Sequence, residues 1–90
     1  MKYPIAIEPG DQAHAYGIVV PDLPGCFSAG DTLESAHQNA KEVITGWIEM
    51  ELDKGHQVPL PSKIENLAKR EEFKGWTFGL IDIPFNIKSN

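Results

Sequence analysis

The chain of 90 residues has a single cysteine, Cys26, so it forms no intrachain disulfide. One thiol fits a reducing compartment. Long apolar runs are missing as well. Ile18-Val19-Val20 is among the longest, far short of the roughly 20 residues a membrane span needs. The N-terminus Met1-Lys2-Tyr3-Pro4 carries no apolar core of a secretory signal, and the protein is expected to be cytoplasmic. Neither the phosphate-binding glycine loop nor the dinucleotide fingerprint is present, and no internal repeat or low-complexity tract interrupts the chain. His14, His37 and His56 are scattered without ligand-pair spacing, so no metal site and no cofactor is expected. Basic residues do not alternate with aromatics as in a nucleic-acid platform. The formal net charge of −5 repels phosphate backbones and steers the chain toward a basic partner.

What remains is an ordinary globular composition, 41% hydrophobic and 23% charged. A chain of this length buries roughly 60–70% of its unfolded surface, enough for one modest core. The pattern predicts strands at Tyr3–Glu8, His14–Val20, Cys26–Ala29 and Trp76–Ile83. Pro9-Gly10-Asp11-Gln12 reads as the turn of a first hairpin. Leu33, Ala36, Ala40, Val43, Ile44, Trp47, Ile48 and Leu52 recur at spacings of three and four, which predicts one long amphipathic helix. Asp31 and Thr32 are equally good caps for its start, with Glu34 or Ser35 as the reciprocal residue. Gly55 stops the helix after Lys54. Gly46, in the helix interior, costs up to about 1 kcal/mol relative to alanine and implies close packing against a neighbour. Ser62 is placed to cap a short second helix over about Lys63–Arg70. The order β-β-β-α-α-β predicts an α+β fold, with the long helix packed on one face of a small antiparallel or mixed sheet.

The chemistry-bearing residues form no catalytic set. Cys26 has no local base, and an unpaired cysteine behaves most often as a small buried hydrophobe. Among the carboxylates, Asp11 and Asp22 are explained by turns, and Asp31 and Glu34 by capping. Asp82 lacks such a local reason. A metal-dependent nuclease using Glu34 and Asp82 is the enzymatic alternative. An orphan dimerisation domain is the blander one.

The most tightly specified segment runs from Val20 to Thr32, where two prolines, two glycines and two aspartates occupy thirteen positions. Its Pro21-Asp22-Leu23-Pro24-Gly25-Cys26-Phe27-Ser28, followed by Gly30-Asp31-Thr32-Leu33-Glu34 and by Ala36, Asn39, Ala40 and Lys41, resembles the HicB antitoxins. The opening Tyr3-Pro4-Ile5 and the later Val58-Pro59-Leu60-Pro61-Ser62 match the same family in order and spacing. The resemblance implies a partial, degenerate ribonuclease H-like fold without catalysis. It implies a partner, a small basic HicA-type toxin that cleaves mRNA with a histidine and whose active site and RNA-binding face the antitoxin covers. Asp11, Asp22, Leu23, Asp31 and Glu34, the acidic and exposed groups near the turns, are the expected partner contacts, and a homo-oligomer, dimer or higher, is the expected state. Many HicB proteins continue into a DNA-binding domain that represses their own operon. Residues 1–84 are expected to be the toxin-binding domain, and 85–90 a tail or the approach to such a domain, with no operator binding by the chain in this form.

Overall fold

The computed structural model describes residues 1–10 and 15–84. Strands β1 (Lys2–Glu8), β2 (Tyr16–Val19) and β3 (Phe27–Gly30) lead into helix α1 (Leu33–Asp53). A short helix α2 (Ile64–Leu67), a 3-10 turn at Glu71–Phe73 and strand β4 (Thr77–Asp82) follow. The strands form one sheet in the order β3-β2-β1-β4, every neighbouring pair antiparallel. The predicted α+β order is therefore present. The 3-10 turn was not anticipated, and α2 is shorter than the predicted span.

Register fixes what each face carries. Tyr3 lies opposite Ile81, Ile7 opposite Ile18, and Ile18 opposite Ser28. Because side chains alternate along a strand, these residues share one face with Ile5. Against that face α1 sets Ala36, Ala40, Ile44 and Ile48, all fully buried. Each isoleucine so buried contributes about 1.5–3 kcal/mol. The stripe is narrower than the periodicity suggested. Leu33, Val43 and Leu52 remain 46%, 40% and 45% exposed. The cause is the approach of α1 to β3: a Cβ on Gly30 would lie 2.4 Å from the Ala36 nitrogen. A helix seated so closely buries a single row of residues four apart and turns its flanks outward.

Pro4 tolerates its place in β1 because β2 pairs only with Ala6, Ile7 and Glu8. At position 4 the strand has β4 alone as a neighbour, and the missing N–H faces the unpaired side. On the second face Phe78 lies opposite Ala6. The Phe73 ring stands edge-on to Phe78 with centroids 5.9 Å apart, and lies 5.3 Å from Trp76. The segment carrying the buried Leu67 and Phe73 thus covers the sheet opposite α1. Over β3 this second face is open, and Phe27 is 68% exposed. Among the described residues no helix is long and apolar enough to cross a membrane.

Candidate functional site

The segment between β2 and β3 is two tight turns end to end. The Leu23 N–H donates to the Val20 carbonyl at 3.1 Å, and the Cys26 N–H to the Leu23 carbonyl at 3.0 Å. Pro24 occupies the second position of the latter turn and Gly25, at φ +76°, the third. That combination defines a type II turn, whose third position requires positive φ. The Val20 N–H closes the loop on the Cys26 carbonyl at 3.0 Å.

This loop is tied to two distant segments. Trp47 of α1 donates its indole N–H to the Pro24 carbonyl at 3.1 Å. The Asp22 carboxylate accepts the Ser62 amide at 2.8 Å and also the Ser62 hydroxyl. Close by, the Tyr3 hydroxyl donates to the Pro59 carbonyl at 2.7 Å. Burial, and secondarily the Asp22 charge, push the Tyr3 phenol above its usual range. The chain after α1 is thereby strapped across the loop. Ser62, expected to cap α2, is engaged by Asp22 instead. Lys63 is the N-cap, without a side-chain hydrogen bond.

The expected contact residues fare differently. Asp22 is partly buried and serves the strap. Leu23 is 1% exposed and belongs to the core, so its expected exposure is corrected: the two turns fold it inward. Asp31 and Glu34 are exposed at the start of α1. They do not cap it, because Thr32 does. Its hydroxyl accepts the Ser35 amide at 3.0 Å, and the Ser35 hydroxyl accepts the Thr32 amide at 3.1 Å. Asp11 and His14 lie outside the described residues, as does the segment 85–90. The far end of α1 closes with Gly55 donating to Leu52 and His56 to Glu51, the paired bonds of a Schellman motif.

No expected catalytic geometry assembles. Cys26 is 2% exposed, and burial pushes its thiol up to about 11, the opposite of nucleophile activation. Glu34 follows edge strand β3, whereas Asp82 lies on the opposite edge strand β4. Three strand spacings, about 14 Å in all, separate those edges. Asp82 faces the Met1 amino group at 3.7 Å. Among the described residues no group of three or more histidine, cysteine or acidic side chains is placed to hold a metal ion.

The outward side of α1 carries an acidic surface that nothing described covers. Glu34, Glu42, Glu49, Glu51 and Asp53, against Lys41 alone, leave this helix four charges negative in a chain of formal charge −5. Gly46 is exposed there, and a Cβ added to it would meet no atom within 4 Å. Its expected close neighbour is therefore absent among the described residues. The glycine itself was the legible signal. The Trp47–Pro24 and Asp22–Ser62 ties had none, because they join residues 23 and 40 positions apart.

Comparisons with known proteins converge. The family model described as HicB_like antitoxin of bacterial toxin-antitoxin system matches residues 3–89. An uncharacterized 14.9 kDa protein from the rep-hol intergenic region of Haemophilus phage HP1 is 42% identical over 83 residues, 92% of this chain and 61% of that protein. The chain thus spans about three fifths of this relative's length. The crystal structure of the N-terminal domain of the Burkholderia pseudomallei antitoxin HicB superposes with a TM-score of 0.81 at 32% identity, over 94% of this chain and 100% of that one. A chain of the HicA3 and HicB3 toxin-antitoxin complex superposes with a TM-score of 0.76 at 29% identity, over 92% of this chain and 98% of that one.

Proposed function

The chain belongs to the HicB-like antitoxin family of bacterial toxin–antitoxin systems, and on that premise we propose that it binds and neutralises a small basic HicA-type toxin in the cytoplasm. The observation that carries this reading is the likeness, at 29% identity over 92% of the chain, to a chain of a HicA3–HicB3 complex. The acidic balance supports it, since a surface of net charge −5 complements a protein built to hold RNA. The chain acts by occlusion and carries no catalysis of its own. Asp31 and Glu34 are free to contact the partner, while Asp22 and Leu23 shape the loop beneath. The bound chain is a homo-oligomer. Operator binding and autorepression would require a C-terminal DNA-binding domain of the kind many HicB proteins carry.

The test is a calorimetric titration against the product of the adjacent small basic reading frame, paired with co-expression in cells that this product arrests. Binding at moderate salt and restored growth are expected. No heat of binding and no rescue would overturn the reading. A metal-dependent nuclease is the competing function. It predicts RNA cleavage with Mg²⁺ or Mn²⁺ that is lost in Asp82→Asn. The placement of Glu34 just after edge strand β3, with Asp82 on the opposite edge strand β4, argues against it.

A further inference from the structure

Helix α1 breaks local rules on its outward side, and it breaks them twice. Gly46 weakens the helix interior and touches nothing described in return. Its last turn carries no basic residue and ends on Asp53; Lys54 at the C-cap and His56, 2.6 Å from Glu51, offset this only in part, and Glu49 and Asp53 sit near the negative end of the helix dipole, where carboxylates are unfavourable. Both departures share one face. With 3.6 residues per turn, Glu42, Val43, Glu49, Met50 and Asp53 all project within about 60° of Gly46. Val43 and Met50 are 40% and 57% exposed, which makes one flank of Gly46 apolar. Glu42 and Glu49 form the other flank, beside a shallow depression that Gln38, Lys41 and Thr45 also line. Gln38 also borders a second depression, with Leu33, Glu34 and His37. Around Gly46 the outward side of α1 is therefore a shallow, acid-flanked depression floored by bare backbone.

We propose that this face of α1, centred on Gly46, is the docking surface for the cationic partner, whose backbone or helix seats against Gly46 between Val43–Met50 and Glu42–Glu49. The inference rests on the toxin-binding reading above and names the face that performs it. Charge selects the occupant. A second copy of this chain would set a helix of net charge −4 against its twin, bringing Glu42 and Glu49 against carboxylates of the same kind. A basic partner neutralises them and relieves the repulsion at the helix end. The missing Cβ at position 46 lets that partner approach more closely than any other residue would permit.

The experiment compares the full chain with Gly46→Leu and Glu49→Lys, titrated with the product of the adjacent small basic reading frame. Leucine is a stronger helix former than glycine, so Gly46→Leu is expected to melt no lower than the parent while filling the depression. Its affinity is expected to fall at least about tenfold, as for removal of a central contact. Glu49→Lys leaves the core untouched and is expected to weaken binding about tenfold at low salt, less at high salt. Parental affinity in both variants would overturn this surface while leaving the toxin-binding reading intact. A parent that fails to bind the toxin would instead remove that reading, and this inference with it. Light scattering that finds self-association of the parent abolished by Gly46→Leu would assign the face to a second copy and overturn the proposal.

Discussion

Three glycines, each changed to alanine, receive the same methyl group and are expected to respond in three ways. At Gly46 the backbone is helical and the space around a Cβ is empty. Alanine is the better helix former and reduces the freedom of the unfolded chain, so Gly46→Ala stabilises by about 0.5–1 kcal/mol. At Gly25 the space is equally empty, but φ is +76°. An L-residue held there costs about 1–2 kcal/mol, offset in part by the same unfolded-state gain, for a net loss near 1 kcal/mol. Gly30 has no positive φ, yet its Cβ would lie 2.4 Å and 2.8 Å from the Ala36 nitrogen and Cα. Neither of these is a flexible side-chain end. The helix must move off β3, at a cost of about 1–3 kcal/mol. In a domain of this size 1 kcal/mol moves the melting temperature by about 4–8 °C. The stability order is therefore Gly46→Ala, parent, Gly25→Ala, Gly30→Ala. Urea unfolding followed by far-ultraviolet circular dichroism and by tryptophan fluorescence measures it. A destabilised Gly46→Ala would mean that Gly46 packs within the chain, and the reasoning about α1 would collapse. A Gly30→Ala variant as stable as the parent would refute the close seating of α1 on β3.

Asp22→Ala removes the acceptor of both Ser62 hydrogen bonds and is expected to cost about 1–2 kcal/mol. Hydrogen exchange at the Ser62 amide should accelerate before that of the sheet does. The Cys26 thiol is pushed up to about 11 when folded and titrates near about 8.5 when unfolded. The unfolded state thus loses its proton first. Stability from this group is complete below about pH 8.5 and falls as pH rises toward 11. Urea midpoints at pH 7, 9 and 10 should trace this fall in the parent and a shallower one in Cys26→Ala. Phe73→Ala removes the ring that packs on Trp76 and Phe78 and is expected to cost about 3 kcal/mol. Limited proteolysis should then cut first between α2 and β4.

Local rules were readable wherever the partners are close in sequence. The Thr32–Ser35 box, the Gly55 stop and the Pro24-Gly25 turn each satisfy hydrogen bonds within six residues, and periodicity alone located the four strands and α1. Rules that depend on distance were not. The width of the buried stripe on α1 was overestimated because Leu33, Val43 and Leu52 obey the same period as Ile44 and Ile48. Only the approach of β3 decides which of them is covered. Ser62 looked like a cap because serine before a helix caps by default, but a carboxylate 40 residues away takes its hydroxyl. Leu23 looked exposed because it stands between two turn signals. The turns are the device that folds it into the core.

The most conspicuous motif and the most conspicuous anomaly thus divide between structure and binding. Pro21 through Gly25 is consumed by the fold: two turns, a strap to Ser62 and a tether to Trp47 leave it little to offer a partner. Gly46 has the opposite character, since nothing described within the chain packs on it, and the acidic end of α1 is offset only in part, by Lys54 at the C-cap and by His56 against Glu51. Where a sequence is locally consistent, its residues are explained by stability. Where one face of one helix departs from consistency twice, the explanation lies outside the chain. The Trp47–Pro24 hydrogen bond links the two, because it fixes the rotation of α1 one residue from Gly46. The motif's contribution to binding is then positional: it holds the acidic face of the helix outward.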